Sequence, residues 1–396
     1  MRVLSRAAVA LAMGAGLTLA PAVASAHPSH PSHPSHPSHP SHPSQNSGAV
    51  YVNDNSATNN AVAGFRRHPD GSLTSLPGSP FPTGGAGSGT AIGSQGSLQP
   101  AFGGRYVLAV DAGSNQVSVL AVRGDGSLRL VGGGTVGSGG TEPVSIAVHG
   151  NLVYVANAGA GGSNYTGFVL GWNGVLRHLP GSTVALPDDA QPGDVLFNAT
   201  GTRLAGTRVG TSLIDSFVVG RDGRLHAAPG SPYAAQGPGP FGSEFRPTDP
   251  SELYVSNAHG GAGNGTVSAF RDGWDGRLTA IGGSPFADHQ TAPCWVEISH
   301  DGRYLFTVNT AQPSISSYAI NRDGSLTLLG STPFKNPAGL APVDARLSPD
   351  GSTLSVVDGG TDQVSTFRVR GATLTELASS PTALPAGSAP FGIVTG

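Results

Sequence analysis

The chain has 396 residues, a formal net charge of −3 and only 11% charged side chains, which excludes the clustered basic surface of a nucleic-acid-binding protein. Its single cysteine, Cys294, excludes an intramolecular disulfide framework. Sixty glycines and 32 prolines call for many tight turns rather than long helices.

The first 26 residues read as an export signal. Arg2 and Arg6 make a basic start, Ala7 to Ala20 is apolar, and Ala24-Ser25-Ala26 is a small-residue cleavage site. The expected location is therefore secreted, outside the cell. No later run is long and apolar enough to span a bilayer as a helix. Residues 27–47 carry a His-Pro-Ser repeat with His27, His30, His33, His36, His39 and His42. Proline at every third position favours polyproline II, with about three residues per turn, and lines the imidazoles along one edge. The tract reads as a disordered spacer, and its histidines are also candidate ligands for a transition metal.

From residue 48 to 396 one unit recurs. A short strand ending in Asn or Asp reads Val50-Tyr51-Val52-Asn53-Asp54, Leu108-Ala109-Val110-Asp111, Tyr154-Val155-Ala156-Asn157, Tyr254-Val255-Ser256-Asn257, Phe306-Thr307-Val308-Asn309 and Ser355-Val356-Val357-Asp358. Ala205-Gly206-Thr207-Arg208 is a degenerate copy. These seven end at positions 54, 111, 157, 208, 257, 309 and 358. An Asp-Gly-x-Leu turn follows in most units, at Asp70, Asp125, Asp222, Asp275 and Asp323, with Asn173-Gly174 as a variant. Type I′ hairpins are expected there. A Gly-Ser-Pro-aromatic run, as at Gly78-Ser79-Pro80-Phe81, closes several units, and a proline opens most of them: Pro143, Pro192, Pro240, Pro293, Pro342 and Pro390. Gln95 holds that place in the second unit. Four strands per unit of about 50 residues is the pattern of a propeller blade. The fold class is therefore all-β: a seven-bladed β-propeller over residues 48–396. The first unit lacks its first strand, and Pro390-Phe391-Gly392-Ile393-Val394 is an orphan first strand. Pairing it with the Val50–Asn53 strand would close the ring.

Alternate residues of a strand point to opposite sides. On the first strand of each unit one set is apolar: Val144, Ile146, Val195, Phe241, Phe245, Val296, Ile298, Val343 and Leu347. The other set should line the central channel: Ser97 and Gln99, Ser145, Asp194, Glu244, Trp295 and Glu297, Asp344 and Arg346. Asp194, Glu244, Glu297 and Asp344 are candidate acid–base groups, since close carboxylates raise one another's pKa. Arg346 is a candidate anchor for an anion, with Trp295, Ser145 and Gln99 beside it. No motif requires a cofactor, although oxygen ligands of this kind also suit a divalent cation. The long irregular segments, such as Pro82 to Ser94, fall on one face of the ring, and the channel mouth is expected there.

The run His300-Asp301-Gly302-Arg303-Tyr304-Leu305-Phe306-Thr307-Val308-Asn309, with Ile315-Ser316-Ser317-Tyr318, Asp323-Gly324-Ser325-Leu326 and Ser348-Pro349-Asp350-Gly351, resembles the lactonase-family propellers, which include 6-phosphogluconolactonases and carboxy-muconate cyclases. The resemblance implies a lactone-ring substrate at the channel mouth. The family carries Arg-His just after the proline of one inner strand and Cys-His-Ser near the start of another. Here those places read Phe241-Gly242 and Gly193-Asp194, and a further family histidine falls at Glu297. Two functions follow: an extracellular hydrolase or isomerase of lactones, or a non-catalytic binding propeller for a small molecule, glycan or protein. A monomer is expected.

Overall fold

The computed structural model describes residues 48–396. The expected export signal, the expected spacer and the candidate metal-binding histidines His27, His30, His33, His36, His39 and His42 lie outside the described residues. Seven antiparallel sheets succeed one another along the chain. Blade 1 holds strands Gly48–Asn53 and Ala61–Arg67, and blade 2 holds Leu98–Ala101, Tyr106–Asp111, Gln116–Val122 and Leu128–Gly137. The inner strands of blades 3 to 7 are Pro143–His149, Pro192–Phe197, Pro240–Arg246, Pro293–Ile298 and Pro342–Leu347. Among the described residues no helix is long and apolar enough to cross a membrane.

The chain ends close blade 1. Ile393–Thr395 pairs antiparallel with Gly48–Asn53, in the register Val50↔Thr395, Tyr51↔Val394 and Val52↔Ile393. Ala49 N–H donates to the Gly396 carbonyl at 2.8 Å and Phe391 N–H to the Asn53 carbonyl at 2.9 Å, which extends the seam at both ends. No sheet edge is left open between the first and last blades.

The apolar set of the inner strands packs between blades. Val144, Ile146 and Val296 are completely buried, and Val195, Ile298, Leu347, Phe245, Val343 and Phe241 are nearly so. Each such side chain contributes about 1.5–3 kcal/mol relative to exposure.

In most blades the Asn or Asp that ends the second strand reaches across the following loop to the third strand, whereas Asn53 of blade 1 donates to the Val110 carbonyl of blade 2 at 3.0 Å. Asp111 accepts from Ser118 Oγ at 2.6 Å, Asp358 from Ser365 Oγ at 2.7 Å, and Asn309 Nδ2 donates to Ser316 Oγ at 3.0 Å. Blade 4 performs the same contact with changed partners. Arg208 stands seven residues before Asp215, and its guanidinium meets that carboxylate at 2.6 and 2.5 Å.

Two local expectations are corrected. The Asp-Gly turns are not type I′, because only the glycine has positive φ, as at Gly126 (86°) and Gly276 (83°). Gly126 N–H bonds the Arg123 carbonyl at 2.9 Å, and Asp125 accepts from Ser127 N–H at 2.9 Å. This is a type I turn followed by a left-handed glycine, stabilised by the Asp side chain. The fourth strand is also split in five of the seven blades, with two short pieces both pairing to the third strand. In blades 1, 4 and 5 the Gly-Ser-Pro run makes the break. Ser79 Oγ accepts the Gly64 N–H at 2.8 Å, Ser231 Oγ that of Ser216 at 3.0 Å, and Ser284 Oγ that of Ala269 at 2.7 Å. The serine hydroxyl thus replaces a ladder carbonyl where proline interrupts the outer strand.

Candidate functional site

The two faces of the ring differ. One carries the loops between second and third strands and the links between blades (the loop face). The other carries the strand 1–2 and 3–4 turns (the turn face). The link from blade 1 to blade 2 is the longest, and it crosses the loop face toward the axis. Asn55 fastens it there, donating to Ser88 Oγ at 2.9 Å and the Thr90 carbonyl at 2.7 Å while accepting Ser88 N–H at 2.8 Å.

Residues 94–97 then enter the axis and touch the six other blades. Ser94 Oγ donates to the Val144 carbonyl at 2.7 Å, and Gln95 N–H to the Gly193 carbonyl at 2.8 Å. The Gln95 amide donates to the Ser243 carbonyl at 2.9 Å and accepts the Val296 N–H at 3.0 Å. Trp295 Nε1 donates to the Ser94 carbonyl at 2.9 Å, Gly96 N–H points to Asp344 Oδ2 at 3.4 Å, and Ser97 Oγ donates to the Phe391 carbonyl at 2.8 Å. A segment bonded to blades 3, 4, 5, 6 and 7 and to the strand that closes blade 1 lies on the axis itself. Ser94, Gln95 and Ser97 are buried. They form a plug.

The plug meets the first half of each inner strand. Asp194, Asp344 and Ser145 at that level are buried; two positions further on Ala147 and Glu297 are still buried, but Gln99, Leu196, Glu244 and Arg346 are half-buried. The channel is therefore closed toward the loop face and opens toward the turn face, which corrects the expected position of the mouth. The plug also accounts for Gly242, where the family pattern has a histidine. A Cβ there would lie 2.2 Å from Gln95 Oε1 and 2.6 Å from the Cys294 carbonyl. A side chain at 242 and the plug exclude each other.

Three of the four channel acids share one arrangement, in which each accepts an N–H from the next blade. Asp194 (blade 4) takes Ser243 N–H at 2.9 Å and Ser243 Oγ at 2.8 Å, with Ser145 Oγ at 3.3 Å. Glu244 (blade 5) takes Ile298 N–H at 2.6 Å, and Glu297 (blade 6) takes Leu347 N–H at 2.9 Å. Ser145 Oγ likewise accepts Val195 N–H at 3.1 Å. These donors face the axis, away from the strand that pairs each inner strand, and the side chains satisfy them. Asp344 differs: it accepts its own neighbour, Ala345 N–H, at 2.8 Å, and turns to the plug. Trp295 is buried against Phe241, ring centroids 5.4 Å apart, with its indole N–H on the Ser94 carbonyl, so it packs under the plug at the closed end of the channel.

Arg346 joins the acids into one cluster. Its Nη1 lies 3.0 Å from Glu297 Oε1, and its Nε has no hydrogen-bond partner among the described residues. A quarter of the side chain is exposed, against 6% for Glu297. Burial opposes the Arg346 cation, but Glu297, Asp344, Glu244 and Asp194 outweigh it and hold the guanidinium more firmly protonated. Burial pushes Asp194 up to about 7 despite its hydrogen bonds to Ser243 and Ser145. It pushes Asp344 up to about 7 as well, with Arg346 pulling the other way. Burial and then the Glu297 charge raise Glu244 well above the usual carboxylate range, and burial raises Glu297. The turn-face end of the channel thus holds a proton-retaining carboxyl, Glu244, beside a cation with unspent donors.

Asp194, Glu244, Glu297, Asp344 and Arg346 are therefore brought together, with Ser145 bonded to Asp194 and Gln99 half-buried at the open level. The plug was missed. Its signal was the longest interval between repeats, 54 to 111, and the lost proline at Gln95. Among the described residues no group of three or more His, Cys, Asp or Glu side chains converges as metal ligands.

Residues 244–393 match the family described as Lactonase, 7-bladed beta-propeller. No curated protein matches the chain. Among solved structures, a provisionally assigned 6-phosphogluconolactonase of Bacteroides uniformis superposes with a TM-score of 0.72 at 22% identity, covering 89% of this chain and 100% of that one. A periplasmic gluconolactonase of Pseudomonas aeruginosa gives 0.68 at 17% identity, over 88% and 99%. A Lactobacillus plantarum protein gives 0.68 at 18%, over 88% and 99%. At these identities the likeness is one of fold.

Proposed function

We propose that this lactonase-family propeller is a secreted protein that opens a lactone ring at the turn-face end of its axial channel. The observation that carries the reading is the Glu244–Glu297–Arg346 cluster, which stands at the open end of the axis. Arg346 retains free N–H donors for the carbonyl oxygen of a lactone or for a substrate carboxylate. Glu244, holding its proton, gives it to the ring oxygen as a water molecule adds to the lactone carbonyl and the ring C–O bond breaks, and it recovers a proton from that water. The net change is addition of one water to give a hydroxy acid. Glu297 balances Arg346 and positions it.

A panel of γ- and δ-lactones assayed by pH-stat tests this, with wild type beside Glu244→Gln and Arg346→Lys. Turnover lost in Glu244→Gln while the fold is kept supports the reading. Turnover unaffected by that change overturns the residue assignment, and no turnover of any lactone by wild type overturns the activity.

A second reading rests on the blade-to-blade hydrogen bonds of Asp194, Glu244 and Glu297. In it these carboxylates only latch neighbouring inner strands, and the propeller binds without catalysis. Wild-type protein that binds a lactone without consuming it would select this reading.

A further inference from the structure

A second site lies away from the axis. The type I turns of blades 3 and 5 share the run Gly-Trp-Asx-Gly, at Gly171-Trp172-Asn173-Gly174 and Gly273-Trp274-Asp275-Gly276. Both tryptophans are exposed on the turn face, at 72% for Trp172 and 90% for Trp274. They differ in what covers them. Trp172 lies flat on Phe102, centroids 4.4 Å apart with 11° between the planes. Trp274 has no aromatic partner among the described residues. Arg203, from blade 4, holds its turn through the Gly273 and Trp274 carbonyls.

Trp274 stands beside a groove of about 260 Å³ between blades 4 and 5, whose wall includes Asn198, Thr200, Thr202, Arg203 and Asp272. Asp272 is the unusual member. Its side chain is only 2% exposed, and neither carboxylate oxygen has a hydrogen-bond partner among the described residues. The nearest cation, Arg203 Nε, is 3.4 Å from Oδ1, and its N–H groups are directed at backbone carbonyls. Burial pushes Asp272 up to about 6 against that attraction. A buried carboxylate that is ion-paired but accepts no hydrogen bond carries a cost only partly met, and Asp272 lines the groove together with Thr200 and Thr202, whose hydroxyls are 2.7 Å apart.

We propose that this groove binds one ring of a neutral saccharide. A pyranose offers an apolar face for the Trp274 indole and a rim of hydroxyl donors for Asp272 and the threonines. Arg203 and Asp272 cancel in charge, which favours a neutral ligand. The volume lies at the small end for ligand pockets, near 300 Å³, and suits a single ring. This site is separate from the axial cluster and does not depend on its chemistry.

The test titrates the protein with cellotriose, chitotriose, maltotriose and xylotriose, following tryptophan fluorescence and binding heat. At least one triose is expected to bind at millimolar concentration or better. Trp274→Ala should weaken that affinity at least tenfold, the usual loss when a tryptophan anchor is truncated. Asp272→Asn should weaken it with melting temperature retained, and Trp172→Ala should leave it unchanged. The proposal fails if no triose binds, or if Trp274→Ala binds as wild type does. It also fails if a His-Pro-Ser repeat peptide occupies the groove in place of the sugars.

Discussion

Replacing Gln95 with leucine tests whether the plug holds the ring together. The change keeps the bulk of the side chain and removes both of its amide partnerships. The Ser243 carbonyl in blade 5 loses its donor, 2.9 Å away, and the Val296 N–H in blade 6 loses its acceptor, 3.0 Å away. Both groups face the buried axis, so water does not replace the lost bonds freely. A buried polar group left unpaired costs about 1–3 kcal/mol, which puts the pair at roughly 2–6 kcal/mol. That is a large part of an ordinary domain's stability of about 5–15 kcal/mol. Urea unfolding followed by circular dichroism would read the loss as a lower midpoint, and hydrogen exchange would show faster opening at Val296. Gln99→Leu supplies the comparison on the same axis, because the Gln99 side chain makes no hydrogen bond among the described residues and should change stability little. A Gln95→Leu protein with an unchanged midpoint and unchanged Val296 protection would refute the plug's structural role.

Arg208→Ala should cost about 3–5 kcal/mol, because it leaves Asp215 buried and without its guanidinium; the double change Arg208→Asn with Asp215→Ser, which restores the pairing of the other blades, should recover much of that loss in thermal melting. Deleting residues 390–396 removes the strand that closes blade 1, and should lower the melting temperature sharply and promote association through the opened edge; an unchanged melt would contradict the closure. Asp194 and Asp344 hold their protons to about pH 7 in the folded chain, against about 4 when unfolded. Between those values the folded state binds more protons than the unfolded one, so these two groups make stability fall as pH rises from about 4 to 7. Asp194→Asn should flatten that slope in denaturant melts taken across the range, and an unaltered slope would show that Asp194 does not titrate in this window.

The repeat made the blades legible, because each copy carries its own strand, turn and opening proline. The orphan strand at Phe391–Val394 likewise pointed to ring closure, and the structure places Ile393–Thr395 there. Period-two alternation separated the residues packed between blades from the polar set at the axis. It did not show how that polar set is used. Alternation says which side of a strand a carboxylate faces, but not that the next blade's backbone N–H waits there, as Ile298 does for Glu244. Nor does it reveal that a loop from elsewhere fills the axis, since Gln95 belongs to no strand. The degenerate copy at Arg208 looked like decay of the repeat. Its partner Asp215, seven residues on, shows a conserved contact with exchanged chemistry. The Asp-Gly turns were misassigned because the dipeptide fits both type I′ turns and a type I turn followed by glycine, and the flanking Asp–Ser bond decides between them.

The most direct test of the axial site is a crystal structure of the protein soaked with a δ-lactone or its hydroxy acid. Ligand should appear at the turn-face end of the channel, hydrogen-bonded to Arg346 and within reach of Glu244, with residues 94–97 still closing the other end. Ligand bound at the loop face with the plug displaced, or an axis that stays free of ligand at saturating concentration, would contradict it.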